Sequence, residues 1–140
     1  MNYNTVHTKE EMLKFLETEF RKHREIQFAI IHGSFIAGDH YNDIDIALFL
    51  SQEITSPLNY ELDIETDMII RNRLPRPVDI RVLNNAPLSF AFNVIKNGTL
   101  LFTRDEESYC TYKEEIIRRY LDFSYHRKSM LKESLRCACE

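Results

Sequence analysis

Residues 26–50 read IQFAIIHGSFIAGDHYNDIDIALFL. Two short apolar runs rich in Ile flank a loop that opens on Gly33-Ser34 and closes on Asp43-Ile44-Asp45. The first run, Ile26–His32, has strand length and ends at a Gly-Ser breaker, which predicts a buried strand. From Asp43 the chain alternates and then turns wholly apolar through Leu50, the pattern of a second strand lying inside a sheet. Strand residues two apart project from the same face, roughly 6.5 to 7 Å from each other. Asp43 and Asp45 therefore point together, while Ile44 and Ile46 point into the packed face. Side by side and ionised, the two carboxylates repel and one pKa rises, unless a divalent cation between them reverses the effect. Oxygen-only ligands favour magnesium or manganese over zinc.

Working outward, Thr8-Lys9-Glu10-Glu11 has the form of a capping box, and Leu13, Leu16 and Phe20 follow at helical spacing, so residues 9–24 read as an amphipathic helix. Residues 60–74 fit both alternation (Tyr60, Leu62, Ile64) and helical spacing (Tyr60, Ile64, Met68), and are read as helix. Residues 78–83 (VDIRVL) form a period-2 strand, and residues 85–97 a helix with Pro87 in its first turn and Gly98 as its stop. Thr99–Thr103 reads as a short edge strand. Beyond Glu106, an apolar stripe through Tyr109, Ile116, Tyr120 and Phe123 predicts a C-terminal helix over about 106–136. No repeat or linker interrupts the chain, so the expected fold is α+β, a small mixed sheet flanked by helices in a single domain over residues 1–140.

The alternation in 78–83 places Asp79 opposite Val78 and Ile80, on the face that Arg81 shares. If this strand neighbours the one from Asp43, a third carboxylate lies about 5 Å away across the sheet. Three carboxylates on two strands, followed by an arginine, describe a metal-assisted phosphoryl-transfer site. Gly33 lets a phosphate approach the backbone, and Ser34 offers a hydroxyl and an N–H that cradle anionic oxygens. His32 and His40 flank this motif and are expected to be structural or solvated.

The composition limits the alternatives. At 140 residues, 44% apolar and 29% charged, the chain holds one domain's worth of core, which excludes a multidomain polymerase. A net charge of −4 argues against a nucleic-acid backbone as the main partner. Nine acidic residues and no Lys or Arg lie between Glu25 and Ile70, and then Arg71, Arg73, Arg76 and Arg81 follow. This reads either as solvated faces of opposite sign or as a cation site beside an anion site. No stretch matches a signal peptide or a membrane span, so a cytoplasmic protein is expected, with Cys110, Cys137 and Cys139 as free thiols.

Gly-Ser, a loop, Asp-x-Asp and a third Asp on a later strand together resemble the nucleotidyltransferase signature of the DNA polymerase β superfamily. The segments GSFIAG, NDIDIALFL, PVDIRVLNNAP and VIKNGTLLF are similar to the minimal nucleotidyltransferases (MNT proteins), and the resemblance runs from about residue 26 to 125. Two features depart from the family pattern: a loop of eight residues between Ser34 and Asp43, and Asn42 where Ser often stands. The resemblance implies an enzyme that moves AMP from ATP onto an acceptor hydroxyl. It also implies an antitoxin whose partner is a HEPN-domain ribonuclease toxin, modified on a tyrosine. Carried over, Gly33 and Ser34 hold the triphosphate, Asp43 and Asp45 bind Mg2+ (or Mn2+), and Asp79 completes the metal site and helps deprotonate the attacking hydroxyl. Arg81 joins the nucleotide-binding set from strand parity alone. The spacing of Arg119 and His126 coincides with a motif of the toxin partner, and is read as chance because the rest of the chain resembles the antitoxin. The basic segment 127–136 and its apolar stripe are expected to form part of the docking surface for that partner.

Overall fold

The alternation that sends Ile44 and Ile46 to one side and Asp45 to the other is realised in a four-stranded mixed sheet of order β3-β2-β1-β4. A computed structural model describes residues 9–33, 43–51, 56–72 and 78–138, with all of their side chains except those of 69–72 and 134–138. The elements are α1 (Lys9–Arg21), β1 (Ile26–His32), β2 (Ile44–Leu50), α2 (Pro57–Asn72), β3 (Val78–Val82), α3 (Leu88–Asn97), β4 (Thr99–Thr103) and α4 (Glu106–Ala138). β1 pairs antiparallel with β2 and with β4, while β2 and β3 run parallel. The apolar β2 is thus interior, as its sequence requires, and the shorter β3 and β4 form the edges.

Each face of the sheet is covered by helices. On one face Met12, Leu16 and Phe20 of α1 and Ile64 and Met68 of α2 close over Ile31, Ile44, Ile46, Leu48, Val78, Ile80 and Val82. On the other, Ala91 and Val94 of α3 and Ile116 of α4 cover Phe28, Ile30 and Ala47, with Phe49, Tyr109 and Tyr112 packed around them. Phe28 stacks on Phe49 with ring centroids 4.9 Å apart, and Phe92 stacks on Tyr120 at 3.8 Å. Burying each such side chain contributes about 1.5–3 kcal/mol, which places the main stabilisation in these two layers. At the end where β1 stops and β2 and β3 begin, the second face turns polar, and the candidate site lies there.

Several boundaries differ from those the sequence suggests. α1 stops at Arg21 rather than residue 24, because its last turn tightens and Arg104 captures the freed carbonyls. The Arg104 guanidinium donates to the backbone oxygens of Arg21 (2.6 Å), His23 (3.0 Å) and Ile26 (2.7 Å). α2 begins earlier, at Pro57. α3 starts at Leu88 rather than 85, with Pro87 as its N-cap residue in an extended conformation and not in the first turn. The asparagines before it serve the sheet. Asn84 accepts from the Leu50 N–H (2.8 Å) and donates to the Leu50 carbonyl (2.9 Å), and Asn85 takes a left-handed φ of 63° in the turn that follows. Gly98 does end α3, but with extended backbone. A side chain there would strike the Val94 carbonyl and Ile30, so close approach rather than positive φ selects glycine. Thr8 of the expected capping box lies outside the described residues.

No helix among the described residues is long and apolar enough to cross a membrane. Cys110 is a free, exposed thiol. The side chain of Cys137 and all of Cys139 lie outside the described residues.

Candidate active site

At the polar end of the sheet three strands present one residue each in register. Asp45 of β2 sits opposite His32 of the antiparallel β1 and opposite Asp79 of the parallel β3. Asp43 stands two positions ahead of Asp45, half-buried at the mouth of β2. Arg81, two positions beyond Asp79 and opposite Ala47, is exposed on the same face. The strand parity expected for Asp45, Asp79 and Arg81 is therefore the parity observed, whereas β2 begins at Ile44 rather than Asp43, which precedes the strand and lies near enough to Asp45 for the two charges to interact.

Gly33 ends β1 with φ of +80°, in the left-handed region where glycine carries no Cβ penalty. Space is a second reason for glycine, since a Cβ built at Gly33 would run into the Asp45 carboxylate oxygen. The turn after β1 therefore leaves room for the Asp45 carboxyl to lie over it. Ser34, like His40, lies outside the described residues.

The electrostatics follow from this crowding. Burial, first, and then the nearby Asp43 and Asp79 carboxyls push the Asp45 pKa above the ordinary aspartate value, with Arg81 opposing them. The Asp45 and Asp79 side chains are within hydrogen-bonding reach of each other. His32 lies beneath them, its ring meeting Phe90 edge-on at 5.7 Å. Burial lowers the His32 pKa, which keeps the imidazole neutral, and Nε2 has no hydrogen-bond partner among the described residues. His32 thus packs against an aromatic as a structural residue does, yet feels the charges of Asp79 and Arg81.

One neighbour of this group was not singled out in the sequence. Glu65 of α2 accepts a hydrogen bond from the Ile80 N–H at 2.7 Å, and its carboxyl lies within hydrogen-bonding reach of Asp79. Its pKa is raised, chiefly by burial, with Asp79 and Glu61 adding to the rise and the Ile80 N–H opposing it. Glu61, one helical turn earlier, accepts from the Val82 N–H at 2.8 Å. The available signal was the pair's four-residue spacing beside the apolar pair Ile64 and Met68. Part of the acidic zone in 25–70 is therefore engaged within the fold: Glu61 and Glu65 bond the backbone and Glu25 accepts from the Tyr60 hydroxyl at 2.9 Å. Of the arginines that follow, Arg81 faces the site. Arg73, Arg76 and the Arg71 side chain lie outside the described residues.

Among the described residues no three His, Cys, Asp or Glu side chains form a ready-made metal cage. What the strands bring together is an open set of carboxylate oxygens with an arginine beside it.

The fold has counterparts among known proteins. An MNT antitoxin from Shewanella oneidensis, solved in complex with a tri-AMPylated HEPN toxin, superposes with a TM-score of 0.66 at 17% identity, covering 89% of this chain and 99% of that one. A toxin–antitoxin structure with AMP-PNP matches with a TM-score of 0.67 at 18% identity, covering 92% of this chain and 99% of that one. No curated protein matches in sequence. The family model described as polymerase beta, nucleotidyltransferase, matches residues 14–107. That span takes in β1 to β4 and every carboxylate of the site, and on it the chain belongs to the polymerase beta nucleotidyltransferase family.

Proposed function

We propose that this protein transfers AMP from magnesium-bound ATP onto a tyrosine hydroxyl of a HEPN-domain ribonuclease toxin, and so acts as the antitoxin of the pair in the cytoplasm. The observation that carries this reading is the in-register pairing of Asp45 with Asp79 beside Asp43, where burial first and then the neighbouring carboxyls raise the Asp45 pKa. Such crowding is relieved by a divalent cation. An open oxygen set suits magnesium, which is usually held by one or two carboxylates plus substrate phosphates rather than by an all-protein cage. Family membership and the relatives solved with AMP-PNP and with a tri-AMPylated HEPN toxin support the reaction and the partner.

In this reading Asp43, Asp45 and Asp79 would hold the metal, which would draw charge from the triphosphate oxygens. Gly33, at the end of β1, and Ser34, next in sequence, receive the triphosphate, and Arg81 offsets phosphate charge from β3. Asp79, nearest the sheet edge, takes the proton of the attacking hydroxyl. The hydroxyl oxygen bonds to the α-phosphorus as the bond to the bridging oxygen breaks, and pyrophosphate leaves.

The acceptor has to be docked from outside. α4 supplies a surface for this: Tyr109, Ile116, Phe123 and Met130 recur every seven residues, so one apolar stripe runs along the helix. Ile116 is 6% exposed under α3, but Phe123 and Met130 are 57% and 69% exposed because the helix has outrun the sheet. A cleft lined by Leu88, Ser89, Tyr120 and Phe123 opens where it departs. Arg127 borders the stripe, with Lys128 and Lys132 on the opposite side of the helix, and this positive charge favours an acidic partner surface.

The reading is tested by mass spectrometry of the co-expressed toxin incubated with ATP and magnesium. Wild-type protein is expected to add AMP to a tyrosine, and Asp43→Ala/Asp45→Ala or an excess of chelator to abolish it. If the double variant protects cells as well as wild type with no modification present, neutralisation is by occlusion and the catalytic reading fails.

A further inference from the structure

β3 is an edge strand, and an edge strand leaves a row of backbone N–H groups without a strand partner. Here Leu83 donates inward to the Leu48 carbonyl at 2.8 Å, so the N–H groups of Ile80 and Val82 point away from the sheet. Glu65 and Glu61 receive them. The spacing of the two glutamates matches that of the two donors. Four residues of helix rise about 6 Å and two residues of strand about 6.6 Å, so two successive turns of α2 meet two successive outward N–H groups. The helix runs opposite to the strand, which puts Glu61 at Val82 and Glu65 at Ile80, next to Asp79. Of the two glutamates, Glu65 is the one within hydrogen-bonding reach of the Asp79 side chain.

We infer that Glu65 is a positioning residue for the transfer reaction: fixed by the Ile80 N–H, it confines the Asp79 carboxyl to the side of Asp45, while Glu61 clamps the same edge without touching the site. This inference rests on the AMP-transfer reading above. Asp79 is otherwise a short side chain on an edge strand, free to turn outward to solvent. With Glu65 on its outer side and Asp45 on its inner side, it is held in a row of three carboxyls that spans α2, β3 and β2. Groups that orient a reactive carboxylate in this way are typically worth about 10- to 100-fold in activity.

Glu61 supplies the internal control. Glu61→Ala and Glu65→Ala each remove one acceptor from the β3 edge, so each is expected to lower the melting temperature by a similar amount. Only Glu65→Ala is expected to lower kcat for AMP transfer, by about tenfold or more, with KM for ATP little changed. Glu65→Gln, which keeps an acceptor for the Ile80 N–H and offers Asp79 a donor, is expected to restore most of the rate. A readout without turnover accompanies these: the side-chain carboxyl 13C resonance of Asp79 should move in Glu65→Ala and stay in place in Glu61→Ala. Equal rates and equal Asp79 resonances in the two alanine variants would overturn the inference and leave both glutamates as edge clamps. If wild-type protein itself transfers no AMP, the reaction assigned above is wrong, and the Asp79 resonance alone decides the positioning, moved for and unmoved against.

Discussion

Asp45 is the residue in which stability and chemistry oppose each other most directly. It lies over a glycine turn, opposite Asp79 and close to Asp43, and its pKa is raised. A carboxyl whose folded pKa lies above its unfolded value stabilises the fold fully at pH below the unfolded value and loses that contribution as pH rises through the folded one. At neutral pH the metal-free protein therefore carries the cost of an ionised Asp45. Asp45→Asn keeps the shape and removes the charge. It is expected to raise the melting temperature of the metal-free protein by a few degrees at pH 7 while abolishing AMP transfer. It should also flatten, though not remove, the fall in stability between the ordinary aspartate range and neutrality, because Glu65 is shifted in the same direction. Added magnesium should stabilise wild type and leave the variant unchanged. Thermal melts across pH check this, and a variant less stable than wild type at pH 7 would count against the repulsion assigned to Asp45.

Between elements, the carboxylate face is largely a product of strand parity, and it was legible from DIDIALFL and VDIRVL before any coordinate. The period of two settles which side chains share a face whatever the strands pack against. What parity cannot supply is the content of the edges. The roles of Glu61 and Glu65 depend on β3 being outermost and on α2 lying alongside it, both facts of assembly. The earlier end of α1 has a similar origin, since the donor that caps it, Arg104, sits 83 residues further along the chain. Arg104→Ala removes a donor from three backbone carbonyls and is expected to cost about 1–2 kcal/mol in denaturant titrations. The Arg104 clamp lies at the start of β1 and the site at its end, roughly 20 Å away for a strand of this length. Transfer activity should therefore survive unchanged in the stable fraction, and a loss of kcat exceeding the loss of folded protein would contradict that separation.

Across the whole molecule, α4 makes the structure longer than its sheet. At about 1.5 Å per residue its 33 residues run roughly 50 Å. The first part of its stripe is pinned by Ile116 and by the stacking of Tyr120 on Phe92, and the remainder continues as a helical arm whose faces follow the helix period. Binding and transfer can therefore be uncoupled by phase. One alanine inserted after His126 turns everything beyond it by about 100°, carrying Met130 and Leu131 off the line of Phe123, and pull-down of the toxin should be lost. Seven inserted residues complete nearly two turns, within roughly 20° of the original face, and binding should return. The arm would then be about 10.5 Å too long, so the docked tyrosine would stand well out of line with the α-phosphate, and a restored complex should remain without AMP. In the docking proposed above, the helix acts as a ruler, and the reaction reads its length where the partner reads only its angle.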